Sequence, residues 1–245
     1  MISYANDDAY IDDQGPMDYR DMDLAGQDLR GLDLRGANLS GANLEGADLR
    51  EANLTRANLT GAILERADLR GVILIRSNAS GASLVNADLQ GANLTRANFT
   101  DTLLDQTKMM EAILKDAILT RSSLWQAMMT RVDMSRASLA ECNLEGAVMI
   151  GVNGWLATLS RSNLSKTNLT GASFVAADLS EVTMSDADLT GASFSRANMS
   201  GAELSNLTLN ETNFSRVIFS RANVRSVNFE DAKMNKAIMP DGGSY

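Results

Sequence analysis

The strongest constraint on this chain is a phase of five that does not slip. Every fifth residue from Leu24 to Met239 gives 44 positions, of which 27 are Leu, 8 Met and 6 Phe. Only Ala79, Gly154 and Val224 depart from that set, and all six phenylalanines of the protein fall on it. Two residues before each centre stands a small residue, most often Ala and otherwise mainly Val, Ser or Thr. An α-helical apolar stripe recurs about every 3.6 residues, so this period excludes an amphipathic helix.

Side chains two apart on an extended segment point the same way, and the one between points the other way. The small residue and the centre therefore face inward together, with the intervening residue outward. The next two residues must turn the chain so that the following pair faces inward again. Gly is common at the second of these, as at Gly26, Gly31, Gly36, Gly41 and Gly46, which suits a corner. The expected fold is all-β, a coiled solenoid of very short strands. A slower rhythm of twenty is also present. Asp-Leu-Arg begins at Asp28, Asp48 and Asp68, while Met109, Met129 and Met149, and Phe174, Phe194 and Phe214, stand twenty apart. Four phrases per turn would stack each set into a column.

The phrase A-[DN]-L-x-x, clear in "GANLEGADLREANLTRANLTGA" over residues 41–62, resembles the pentapeptide-repeat proteins. The resemblance covers about nine tenths of the chain. It implies a right-handed quadrilateral β-helix, a pentapeptide-repeat solenoid with four pentapeptides to a coil. There would be about 11 coils, forming a rod roughly 50 Å long at about 4.8 Å per coil. The ending "AIMPDG", Ala237 to Gly242, resembles the ends of many cyanobacterial members.

The organisation expected is an acidic N-terminal leader or cap over 1–16, the β-helix over 17–239 and a C-terminal tail over 240–245. An open solenoid end exposes core and strand edges. Tyr10, Ile11, Met17 and Tyr19 are candidates to cover it, the alternative being a leader that orders on a partner. Net charge is -9, but residues 1–23 hold seven Asp and one Arg, so the rest of the chain averages near neutrality. The start lacks a basic n-region and an apolar h-region, and no run of 18 apolar residues exists. A cytoplasmic protein without membrane insertion is expected.

The inventory for chemistry is thin. There is no His and one Cys, so no disulfide framework or zinc spacing arises. Cys142 falls on an inward position, where it acts as a small hydrophobe. The many Asp and Asn residues lie in outward rows rather than in a cleft that would separate their pKa values. No Walker A or dinucleotide fingerprint occurs. We expect no catalytic residues, no cofactor-binding residues, no metal ligands and no enzyme activity. Glycosylation sequons such as Asn53, Asn58, Asn93 and Asn168 are by-products of the repeat. The Asp28, Asp48, Asp68 column runs beside Arg30, Arg50 and Arg70, either as a solvated face or as a docking site.

Large apolar residues at outward positions are more informative. With four phrases per coil, Leu103 and Trp125 lie on one face, and Met110, Met128, Val148 and Ile150 lie on the adjoining one, near a shared edge. Ile63 and Val85 extend the first face. Trp155 stands at a corner beside Gly154, which would lie over Phe174. A contiguous apolar patch marks a partner surface, and Trp is a favoured anchor. The expected function is that of a non-enzymatic structural or adaptor rod acting by protein contact. If the cyanobacterial resemblance holds, it would serve a light-harvesting, photosynthetic-assembly or regulatory complex. Homo-oligomerisation stays open. The alternative is a DNA mimic binding gyrase, as in the quinolone-resistance members. Against it stand the net acidity lying mostly at the start, the Arg columns, and the lack of a dimerising segment after "AIMPDGGSY". Direct nucleic-acid binding is opposed by the net negative charge.

Overall fold

A computed structural model describes residues 17–244. The expectations for residues 1–16, including Tyr10 and Ile11 as cap residues, lie outside that range.

The twenty-residue rhythm is the pairing register. Parallel bridges join nearly every outward residue to the one twenty later, from Asp18↔Asn38 through Asn98↔Ile118 to Ile218↔Ile238, with the pair Thr208 and Asn228 left unbridged. The chain winds as a right-handed quadrilateral β-helix with four pentapeptides to a turn. Three segments are extended enough to count as strands: β1 (Thr183–Ser185), β2 (Glu203–Ser205) and β3 (Asn223–Arg225). They form one parallel sheet in the order β1-β2-β3.

The phrase from Ala37 to Gly41 shows why the repeat is written as it is. Ala37 and Leu39 are buried, and Asn38 between them is half-buried on the outer side. Leu39 N–H donates to Asn58 C=O at 2.7 Å and Asn58 N–H donates to Ala37 C=O at 2.9 Å, holding adjacent coils together. Ala42 N–H closes the corner on Leu39 C=O at 3.1 Å. That corner leaves the N–H of Ser40 pointing outward, and the Asn38 Oδ1 accepts it at 3.3 Å. The same side-chain turn recurs at Asn53, Asp48 and Asn98. Backbone accounting at the corner therefore favours Asn or Asp here, although Ile63, Leu103 and Met128 hold the same position without that bond.

Glycine at the corner proves to be a preference rather than a condition. The second corner residue is left-handed whichever side chain it bears, as at Arg56 (φ 61°), Glu111 (φ 60°) and Lys166 (φ 59°). None of the residues that adopt this φ is β-branched, in keeping with the steric cost there.

The core is one continuous column of Leu, Met and Phe flanked by Ala, from Leu34 to Ala237. Its two undersized centres are compensated one coil later. Ala79 is followed by Phe99, and a Cβ on Gly154 would lie 2.4 Å from the Phe174 ring. Phe174, Phe194 and Phe214 then stack at 5.7 and 5.4 Å between centroids. Near the C-terminal end Phe229 meets Phe214 and Phe219 at 6.1 and 5.9 Å, yet Val224, Val227 and Phe229 are only half-buried. Ser244 returns as an antiparallel bridge to Ile238 across that end. At the other end Tyr19 packs on the core while Met17 and Met22 are exposed.

Candidate protein-binding surfaces

The register assigns every outward residue to one of four faces. The first carries Asn43, Ile63, Ser83, Leu103 and Ser123. The second carries Asp68, Asp88, Lys108, Met128 and Val148, the third Ile73, Asn93, Ile113 and Asp133, and the fourth Asn78, Asn98, Ile118 and Ser138.

Leu103 is 48% exposed on the first face. Trp125, 38% exposed, stands at the corner between the first and second faces. Immediately past that corner Met128, 42% exposed, pairs with Val148. Met110 and Ile150 lie at the far edge of the second face, Ile150 exposed and Met110 and Val148 half-buried. Leu103, Trp125, Met128 and Val148 thus lie around one corner, and Met110 and Ile150 at the next, across the second face. Ile63, exposed, is two coils from Leu103, and Val85 is half-buried.

Trp155 does not join them. It lies thirty residues from Trp125, one and a half turns, and so occupies the diagonally opposite corner with exposed Leu156 and half-buried Val175. Ile118 and Ile218, both exposed on the fourth face, were missed in the sequence. Sorting residues by position within twenty would have shown both.

The corner at Trp125 is held by a polar lock. Asp105, one coil earlier, accepts the Trp125 backbone N–H at 3.0 Å and the Ser123 hydroxyl. The main chain beneath the indole is therefore fixed before any partner arrives.

Farther toward the N-terminus the second face is ionic. Arg30 donates to both oxygens of Asp28, at 2.8 and 2.6 Å, and Arg50 and Arg70 hold Asp48 and Asp68 likewise. Arg30 Nε and Arg50 Nε also lie 3.5 Å from the Asp of the next coil. The Arg30 hydrogen bonds hold the Asp28 carboxyl down at about 2, so this pair persists until the pH falls toward that value. These exposed pairs contribute little to stability. Asp28, Arg30, Gly31, Arg50 and Glu51 border only an open depression.

Inside the rod the candidate nucleophile is shielded. Cys142 is buried in a column with Thr102, Ser122 and Ser162. Its thiol donates to Leu119 C=O at 2.9 Å, and burial pushes it up to about 12. Around it two serines relay a corner bond. Thr102 N–H donates to Ser122 Oγ at 3.1 Å, which donates onward to Phe99 C=O, and Ser162 does the same between Cys142 and Leu139. Among the described residues no cluster of three or more potential metal ligands exists, and no helix is long and apolar enough to cross a membrane.

A family model described as Pentapeptide repeats matches in eight copies, over 21–56, 52–91, 87–126, 117–153, 157–196 and 197–235. The chain is similar to HetL, a pentapeptide repeat protein involved in heterocyst differentiation regulation from the cyanobacterium Nostoc sp. strain PCC 7120. Identity is 27% over 93% of this chain and 92% of that one, with a TM-score of 0.55. Rfr23 from the cyanobacterium Cyanothece 51142 is 28% identical over 41% of this chain and 63% of its own, with a TM-score of 0.35. Full-length QnrB1, a plasmid-mediated fluoroquinolone resistance protein, is 17% identical over 76% of this chain and 87% of its own, with a TM-score of 0.34. No curated protein sequence matches the chain.

Proposed function

We propose a function from one premise: this chain belongs to the pentapeptide-repeat family. It acts as a non-enzymatic adaptor rod in the cytoplasm, gripping a protein partner through the corner formed by Leu103, Trp125, Met128 and Val148. The observation that carries this reading is the exposure of Trp125 at, and Met128 just past, one corner whose backbone Asp105 holds rigid. An exposed aromatic anchor on a preorganised surface suits partner binding, because little ordering is required on association. The similarity to HetL over nearly the whole of both chains favours a regulatory role.

The test is capture of partners from native lysate on the tagged full chain, beside a Trp125→Glu, Met128→Glu variant with an unchanged melting curve. A partner kept by the wild type and lost by the variant supports the reading. Capture indifferent to the two substitutions sinks it. Recovery of gyrase under that second condition would favour the DNA-mimic alternative.

A further inference from the structure

The corner diagonally opposite the Trp125 patch collects the positive charge of the molecule. Eleven residues, one per coil from Gly36 to Lys236, occupy its left-handed position. Six of them are Arg56, Arg76, Arg96, Arg136, Arg196 and Arg216, a seventh is Lys236, and Asp116 is the one acid. With the adjacent Arg35 and Lys115, nine of the 22 basic residues of the protein stand on this single edge. Over the rest of residues 17–245 acids outnumber bases two to one.

Two features show that this is not ordinary surface decoration. The first is pairing. Elsewhere most bases meet a carboxylate, as in Arg121 with Asp101 at 2.7 Å, Arg161 with Glu181 at 3.0 Å and Arg131 with Glu111 at 3.6 Å. On this edge Asp116 serves Arg96 and Arg136, Asp33 holds Arg35 at 2.7 Å and Asp133 meets Lys115 at 3.1 Å. Among the described residues no carboxylate lies within 4.0 Å of Arg56, Arg76, Arg196, Arg216 or Lys236. Arg56 and Arg76, and Arg196 and Arg216, are like charges one coil apart, which is repulsive. The second is backbone strain. Fourteen of the corner glycines relieve the left-handed φ, yet only Gly36 stands on this edge. Each arginine here accepts a steric cost that glycine would avoid.

The edge is also only the two corner residues wide. The third and fourth faces beside it present Asn53, Asn93, Asn58 and Asn98 together with Asp133 and Asp178. A duplex about 20 Å across would overlie those carboxylates, whereas an extended chain touches only the edge. At mid-length the arginines give way to Trp155, Leu156, Val175 and Ala176.

We propose that this edge is a second docking site, independent of the Trp125 patch, for an extended acidic polypeptide with a central apolar residue. The carboxylates of such a segment would meet the arginine runs on both sides while its apolar residue rests on Trp155 and Leu156.

The probe is a fluorescein-labelled synthetic peptide of sixteen alternating Asp and Glu residues interrupted centrally by Leu-Phe, titrated into the full chain at low salt. Binding should weaken about tenfold or more in Arg196→Glu, Arg216→Glu, as expected when steering charges are reversed, and also in Trp155→Glu. Glu already occupies the same left-handed position at Glu51, Glu111 and Glu181, so these arginine variants retain the fold. Arg221→Glu, on another corner, should leave binding nearly unchanged. No binding, or an equal loss in Arg221→Glu, would overturn the proposal. Tighter binding of duplex DNA to the same arginines would assign the edge to phosphate instead. Binding that emerges only when Asp7, Asp8, Asp12 and Asp13 are all changed to Asn would reject a separate partner and assign the edge to residues 1–16.

Discussion

Single residues in this rod are judged by the neighbour twenty positions away. Gly154 is there for volume, since its φ is not left-handed and its missing Cβ is the space Phe174 uses. Gly154→Ala should therefore cost about 1–3 kcal/mol through overpacking, read as a lowered denaturant midpoint. The double variant with Phe174→Leu should recover most of it, because contacting sites are non-additive. That pairing was legible in the sequence, as Gly154 and Ala79 are the two undersized centres and each precedes a Phe by twenty. The serine relay around Cys142 was not, because Ser and Thr at the small position read as volume alone. Cys142 carries a pH prediction. Its folded-state value is raised to about 12, so an unfolded chain loses the thiol proton first. The fold then holds the extra proton, and stability falls as pH rises above about 9, with full benefit below that. Thiol labelling of the native protein at pH 8 should be negligible and should appear only on unfolding.

At the level of the five-residue element, Asn and Asp perform two different tasks that the repeat does not distinguish. Asn93 Oδ1 accepts the Thr95 N–H at 3.0 Å and its hydroxyl at 2.7 Å. A carboxylate does the same, so Asn93→Asp should be nearly silent in thermal melts. Asn98 also donates its amide to Asn78 Oδ1 at 3.0 Å in the coil before. Asn98→Asp would set two acceptors against each other and should cost about 1 kcal/mol or more. Comparison of the two melting temperatures checks the assignment. The outward direction of this position follows from period two alone. The ladder between coils does not, since it depends on which columns hold Asn in succession. Left-handed arginines were likewise hidden, because a turn residue other than Gly, Asn or Asp gives no local signal.

The whole molecule behaves as a stack in which each coil rests only on its neighbours. Opening should begin where a neighbour is missing or loosely packed. Amide exchange should be fast over about residues 17–32, where Met22 is exposed and Leu24, Leu29 and Leu32 are only partly buried, and again over 223–231. It should be slowest between. Uniform protection along the chain would contradict this picture. The rod was legible from its phase of five, but its charge was not. An average near neutrality concealed an edge that appears only when residues are sorted by position within twenty. The unbroken register, finally, limits how such a molecule can change its length. Loss or gain of a single phrase preserves every hydrogen-bonding rule of the ladder, and a core of interchangeable Leu and Met accommodates it. Yet it rotates all later columns by a quarter-turn, carrying Arg196 and Arg216 away from Arg56 and Arg76. Heredity can thus edit this chain freely in substitutions, but in length it can preserve the edges only in whole turns.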